Sequence, residues 1–243
     1  MTSAPVAELR DRALAPEEHG GAVRDMFDRI APTYDLLNRV LSGGLDAVWR
    51  KRAIDALAGA PAGPSLDVCA GTLDLTVLLD QARPHQRLIA SDFSEPMLER
   101  GRGKVPRAEI VVADAQSLPL SDASIAAAVC GFGVRNVSDP KRLVGELRRV
   151  LMPGAVFVTL EFFRPVKLVT RAFHRAYASL LLPTLGGILS GDRSAYAYLA
   201  RSMDGFLTRR EYERALEDAG FCHVTSCDLT LGIASIVRAE VPR

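Results

Sequence analysis

Two carboxylates and a turn of small residues are the first features whose types and spacing could do chemistry. The turn Asp67-Val68-Cys69-Ala70-Gly71-Thr72-Leu73-Asp74 closes a short apolar run and leads into a helical stretch. Small residues at the carboxyl end of a first strand let a ligand lie against the backbone, where doubly wound sheets bind cofactors. About twenty residues on, Ile89-Ala90-Ser91-Asp92 ends in an acid able to accept hydrogen bonds from both hydroxyls of a ribose. Asp92 could instead cap the next helix, but Ser94 and Glu95 cap equally well, so the ribose role is preferred. Asp114, in Val112-Ala113-Asp114-Ala115, is placed to take an adenine amino group while a neighbouring backbone amide meets a ring nitrogen. Neither G-x-G-x-x-G nor G-x-x-x-x-G-K-[ST] occurs, so a pyrophosphate or triphosphate would lack its cradle. The expected ligand is an adenosyl group without phosphates.

A second group is the loop Gly131-Phe132-Gly133-Val134-Arg135-Asn136-Val137, where glycines flank an aromatic and an Arg-Asn pair follows. At the carboxyl edge of a sheet it would face a substrate; by itself, Arg135 reads more readily as a solvated surface charge. The four histidines, His19, His85, His174 and His223, show no ligand spacing, so no metal is expected.

These residues need a frame. Short apolar runs at Ser65–Cys69, Arg87–Ser91, Glu109–Val112, Ile125–Gly131 and Ala155–Glu161 alternate with helical stretches at Thr76–Gln81, Met97–Lys104 and Lys141–Leu151. That alternation predicts right-handed crossovers and a mostly parallel sheet. A helix over Thr208–Asp218 and runs at His223–Leu229 and Ile233–Ala239 predict a closing antiparallel hairpin. Residues 1–22 read as a flexible tail, and residues 23–243 as one domain opened by helices over Val23–Ile30 and Asp46–Ala58. Residues 165–203 break the pattern and read as a helical insertion on the substrate side.

Composition narrows the partners. With 30 basic and 29 acidic side chains the formal charge is +1, which gives no field to attract nucleic acid. Hydrophobic residues at 48% and charged residues at 24% place the chain among ordinary globular proteins. Cys69, Cys130, Cys222 and Cys227 form no C-x-x-C pair, and no signal segment or membrane span is read, so a cytoplasmic protein, at most peripheral to the inner face of a membrane, is expected. The apolar stretch 172–189 either lines a channel for a lipid tail, touches a bilayer, or packs as core or as a homodimer contact.

Phe27-Asp28-Arg29-Ile30-Ala31-Pro32-Thr33-Tyr34-Asp35-Leu36-Leu37-Asn38, Leu45 to Trp49-Arg50, Gly71 to Thr76, Phe132 to Val137 and Leu160-Glu161-Phe162 occur in that order. Together they closely resemble the ubiquinone/menaquinone biosynthesis C-methyltransferases, from about Val23 to the C-terminus, including Pro183 and Ser194–Ser202. The resemblance implies an α/β class I methyltransferase fold, Rossmann-like, with a mostly parallel seven-stranded sheet. It also implies S-adenosylmethionine as donor and a prenylated quinol as acceptor, and the Cys-Ala-Gly-Thr form leans toward demethylmenaquinol over a benzoquinol.

By matching positions, Thr76, Asp92, Asp114 and Ala115 bind the donor, beside Asp67, Gly71 and Gly131. The chain departs from the D-x-G-x-G-x-G turn, keeping only Gly71, with Cys69 and Leu73 at the other glycine positions and Gly131 where a serine often stands. On the acceptor side Arg135 would stabilise a developing oxyanion or relay a proton, Asn136 would position it, and Tyr34 would hydrogen-bond a ring oxygen. Tyr34 and Asp35 either close over the site or simply pack. Glu161 either faces the acceptor or pairs with an arginine. Two rivals remain: a methyltransferase of the same fold acting on another aromatic or polyketide metabolite, and a scaffold that has lost catalysis, for which the missing glycines are the main support.

Overall fold

The computed structural model describes residues 16–32, 34–166 and 205–243, with Arg171 and Ser202. Five runs pair in parallel around β1 (Ser65–Val68): β2 (Leu88–Asp92) and β3 (Glu109–Val112) on one side, β4 (Ile125–Gly131) and β5 (Leu151–Glu161) on the other. The hairpin β6 (Cys222–Leu229) and β7 (Ala234–Glu240) completes the order β3-β2-β1-β4-β5-β7-β6, with β7 antiparallel to both neighbours. The seven-stranded, mostly parallel sheet expected from the alternation is therefore present. β5 begins at Leu151, earlier than Ala155, because it continues directly from the preceding helix.

The helices are α1 (Pro16–Ile30), α2 (Tyr34–Leu41), α3 (Leu45–Asp55), α4 (Asp74–Ala82), α5 (Glu95–Gly101), α6 (Pro140–Val150) and α7 (Arg209–Asp218). The tail expected through residue 22 is corrected, since α1 starts at Pro16, a residue suited to a first helical turn. Helix α2 escaped sequence reading because its eight residues are too few to establish a period. Most of the expected insertion 165–203, including Pro183, Ser194–Arg201 and the stretch 172–189, lies outside the described residues.

Helices cover both faces of the sheet, and the alternation within β4 shows how. Ala128 and Cys130 pack with Leu143, Leu147 and Leu216 of α6 and α7, while Ala127 and Val129 pack with Trp49, Ala53, Leu75 and Leu79 of α3 and α4. Strands buried on both faces must be apolar throughout, which is why they read as continuous runs. Helix ends are fixed locally: Asp139 caps α6 through the amides of Lys141 and Arg142, and Thr208 with Glu211 forms a capping box at α7. Among the described residues no helix is long and apolar enough to cross a membrane.

Candidate active site

The carboxyl ends of β1, β2, β3 and β4 meet the N-terminal helices around a cavity of about 860 Å³. Its wall brings together Gly71, Asp92, Asp114, Ala115, Gly131, Asn136 and Tyr34, seven of the ten residues expected at the site. Asp67, Thr76 and Arg135 are not on that wall.

The turn after β1 explains its departures from the glycine pattern. Cys69, Gly71 and Leu73 all adopt left-handed backbone, with φ of 57°, 52° and 66°. The geometry the glycines would provide is kept, while Cys69 and Leu73 hold it at a cost of about 1–2 kcal/mol each. Leu73 offsets this by complete burial against Ala90 and Leu98. At Gly71 a Cβ would still lie 3.7 Å from the nearest atom, Met97 Cε, so glycine is favoured there by backbone angle rather than by space. At Gly131 a Cβ would lie 2.3 Å from Leu75 Cδ1, the end of a flexible side chain, so a serine there would require Leu75 to shift.

Asp67 and Thr76 are fully buried behind the turn, where the Thr76 hydroxyl donates to Asp67 Oδ2 at 2.6 Å. Thr76 is thus placed behind the wall, its hydroxyl orienting the Asp67 carboxylate. Asp67 Oδ1 is buried without a partner. Burial pushes this carboxyl up to about 7, the Thr76 hydrogen bond opposing and the charge of Asp92 adding to the rise. A buried carboxylate oxygen left without a donor is what a cationic ligand group would satisfy.

Asp92 accepts from the Gly71 amide through Oδ2 and from the Ser94 amide through Oδ1, both at 2.9 Å. Ser94 itself caps α5, so Asp92 is left to the cavity wall. Burial raises its carboxyl to about 6 against the pull of those backbone donors. Asp114 is exposed at the wall and accepts from the Gln116 amide at 2.8 Å, with Ala115 buried beside it. A small-residue turn, an acid on β2 and an acid after β3 thus line one cavity, as an adenosyl ligand requires.

On the acceptor side, Arg135 is only 6% exposed. Its Nη1 pairs with Glu161 Oε1 and donates to the Phe132 carbonyl at 3.0 Å, while its backbone amide donates to Glu161 Oε2 at 3.2 Å. The guanidinium lies 5.4 Å from the Phe162 ring centroid and 6.0 Å from that of Phe132. Arg135 thus lies beneath the wall, with Nη1 held by Glu161 and Nε buried without a partner. Of the two readings of Glu161, pairing with an arginine is the one observed. Asn136 does reach the wall, its Nδ2 donating to the Phe132 carbonyl at 3.1 Å. Tyr34 lines the cavity edge-on to Phe27, hydrogen-bonded to Asn38, and burial raises its hydroxyl pKa although Arg135 and Arg50 lower it. It remains a neutral donor.

Sequence reading missed how the N-terminal helices are fastened. Asp28 accepts from the Ser94 hydroxyl, and Asp35 accepts from the Thr72 hydroxyl and pairs with Lys104 at 2.7 Å. Burial would raise the Asp35 carboxyl, but Lys104 and Thr72 together hold it below the usual range. Lys104 and Arg50 both reach Asp74 at the start of α4, at 2.7 and 3.2 Å. Asp28 and Asp35 lie inside the motif that carried the resemblance, but their partners are 66 and 37 residues away and no local signal names them. Phe93 also lines the wall and was not singled out, while Phe27 and Phe132, named only within their motifs, line it too. Among the described residues no cluster of His, Cys, Asp and Glu could hold a metal.

The strand order, the reversed β7 and the adenosyl-shaped wall define a class I S-adenosylmethionine-dependent methyltransferase. Solved structures agree on the fold: one such enzyme from Thermotoga maritima superposes with a TM-score of 0.67 at 19% identity, covering 90% of this chain and 99% of its own. A geranyl diphosphate C-methyltransferase from Streptomyces coelicolor, holding S-adenosyl-L-homocysteine, gives 0.61 at 16% identity over 81% of this chain and 76% of its own. The chain belongs to the ubiE/COQ5 methyltransferase family, whose sequence profile matches residues 14–240. Similar relatives include a demethylmenaquinone methyltransferase of Thermus thermophilus, 42% identical over 89% of this chain and 100% of that one. A ubiquinone/menaquinone biosynthesis C-methyltransferase of Syntrophotalea carbinolica is 40% identical over 89% and 93%.

Proposed function

We propose that the protein methylates a ring carbon of a prenylated quinol, with demethylmenaquinol as the acceptor, in respiratory quinone biosynthesis. The observation that carries this is the junction, in one cavity, of the donor wall (Gly71, Asp92, Asp114) with a neutral Tyr34, the Asn136 amide and the Phe132 ring. The names of the relatives support the acceptor class.

Bound S-adenosylmethionine supplies an electrophilic methyl on a sulfonium. Asp92 would take the ribose hydroxyls and Asp114 with the Ala115 backbone the adenine, while Asp67, buried behind the turn, would offset the donor's positive charge from beneath the wall. Tyr34 and Asn136 would orient the ring and stabilise the oxyanion left when a ring hydroxyl gives its proton to water, which raises electron density on the attacking carbon; the hydrogen of that carbon then leaves as a proton to water and the ring is restored. Arg135 works through the Glu161 pair, fixing the 132–136 loop. Its part is geometric and electrostatic, and it does not relay the proton. The protein is a cytoplasmic enzyme meeting its acceptor at the inner face of a membrane.

The test is direct. Calorimetric titration with S-adenosylmethionine, then addition of a reduced short-chain demethylmenaquinone, should give binding and a product heavier by one methylene on mass spectrometry. Binding without product would overturn the acceptor, and failure to bind the donor would leave a non-catalytic scaffold.

A further inference from the structure

Most large apolar side chains exposed in the described residues gather on the N-terminal helices and the turn between β6 and β7. Leu36 and Val40 stand one helical turn apart on α2, and Leu45 and Val48 three residues apart on α3. The Trp49 indole donates to the Thr230 hydroxyl at 2.9 Å, which brings the β6–β7 turn, and with it Leu231, beside α3. Leu231 is 89% exposed and adopts φ of 57°. A left-handed position favours glycine, and solvent disfavours leucine, so local stability explains neither choice. A gathering of apolar side chains of this kind marks an interaction surface.

Charge and position narrow the occupant. Arg39 borders the apolar face of α2, and Arg52 lies between Leu45 and Val48 on the helical wheel; neither guanidinium has a carboxylate partner among the described residues. Asp55, on the same side of α3, is neutralised by Lys51 at 3.0 Å. Apolar side chains flanked by unpaired arginines match the interface of an anionic bilayer, where aliphatic groups enter the acyl boundary and cations meet the headgroups. The same helix α2 turns Tyr34 to the cavity and, two residues on, Leu36 to the outside. One helix therefore links the catalytic wall to the apolar face.

We infer that the face formed by Leu36, Val40, Leu45, Val48 and Leu231, with Arg39 and Arg52, docks on an anionic lipid surface, so that a quinol ring enters past α2 while its prenyl tail stays in the bilayer. The delivery step rests on the acceptor reading above; the docking does not.

The experiment is co-sedimentation of the full chain, without donor or acceptor, on phosphatidylcholine vesicles with or without about one third phosphatidylglycerol. Binding should require the anionic lipid, weaken with salt, and fall at least about tenfold in Leu231→Asp and in Val48→Asp. Both substitutions sit on exposed side chains, and calorimetry should find donor affinity within about twofold of the parent. Turnover of a long-tailed acceptor in vesicles should fall with vesicle binding, while turnover of a short, water-soluble acceptor is kept. Unchanged vesicle binding in both variants would overturn the inference. So would a dimer of the parent that both variants dissolve without any vesicle binding, since the occupant would then be a second copy of the chain. If no quinol were turned over, the acceptor reading would fail while the sedimentation result still decided the docking.

Discussion

The two halves of the cavity are built in different ways. The donor half consists of strand ends: left-handed residues at 69, 71 and 73, and the Asp92 carboxylate held by two backbone amides, that of Ser94 two residues on and that of Gly71 on the neighbouring strand's turn. The acceptor half consists of side chains tied across long stretches of sequence: Glu161 to Arg135, Asp35 to Thr72 and Lys104, Asp28 to Ser94. A half made of backbone tolerates side-chain change, as Cys69 and Leu73 show. A half made of paired charges does not, because removing one partner strands the other.

The largest effect that would test this contrast is on the buried pair. Arg135→Ala or Glu161→Ala should each destabilise the fold by about 3–5 kcal/mol in urea unfolding, since the remaining charge is buried and unpaired. A double substitution, Arg135→Met with Glu161→Leu, should recover much of that stability but little turnover. Restored turnover in the double variant would mean that the pair has no part in shaping the acceptor loop.

Donor affinity comes next. Asp92→Ala should weaken S-adenosylmethionine binding by about 2–4 kcal/mol, the loss of two hydrogen bonds to a charged group, read by calorimetry. Tyr34→Phe should leave that affinity alone and lower kcat by about tenfold to a hundredfold, one donor to the developing oxyanion being lost. If Tyr34→Phe changed donor affinity instead, the division of the cavity into two halves would be wrong.

The pH dependence follows from the carboxylates that burial raises. Asp67 titrates at about 7 and Asp92 at about 6 in the fold, against 3.8 for a free aspartate. The folded state therefore holds protons that the unfolded chain has released, and the ligand-free protein should lose stability as pH rises from about 4 to 7. Donor binding should run the opposite way, strengthening as Asp67 ionises near pH 7. Calorimetry across that range should show the trend flattened in Asp67→Asn.

The smallest expected effect is at Gly71. With room for a Cβ, Gly71→Ala costs only the left-handed backbone, about 1–2 kcal/mol. A fall in melting temperature of a few degrees would fit. A collapse of the fold would mean that the turn is limited by space as well as by angle.

The sequence by itself determined the sheet and most of the wall, because the signals are local. Apolar runs of strand length bounded by turns locate β1 to β4 within a residue or two, and a carboxylate at the end of a buried strand can only face the sheet's edge. Asp92, Asp114, Ala115, Gly71 and Gly131 were legible for that reason, and Tyr34 and Asn136 through the motif around them. Tertiary structure alone decided the rest. That Arg135 turns inward to Glu161, 26 residues away, that Thr76 serves Asp67, and that Asp35 joins Thr72 to Lys104 depend on which strand ends become neighbours. A charged residue in a loop is free to meet solvent, substrate or a buried partner, and only the fold fixes which carboxylate lies within reach.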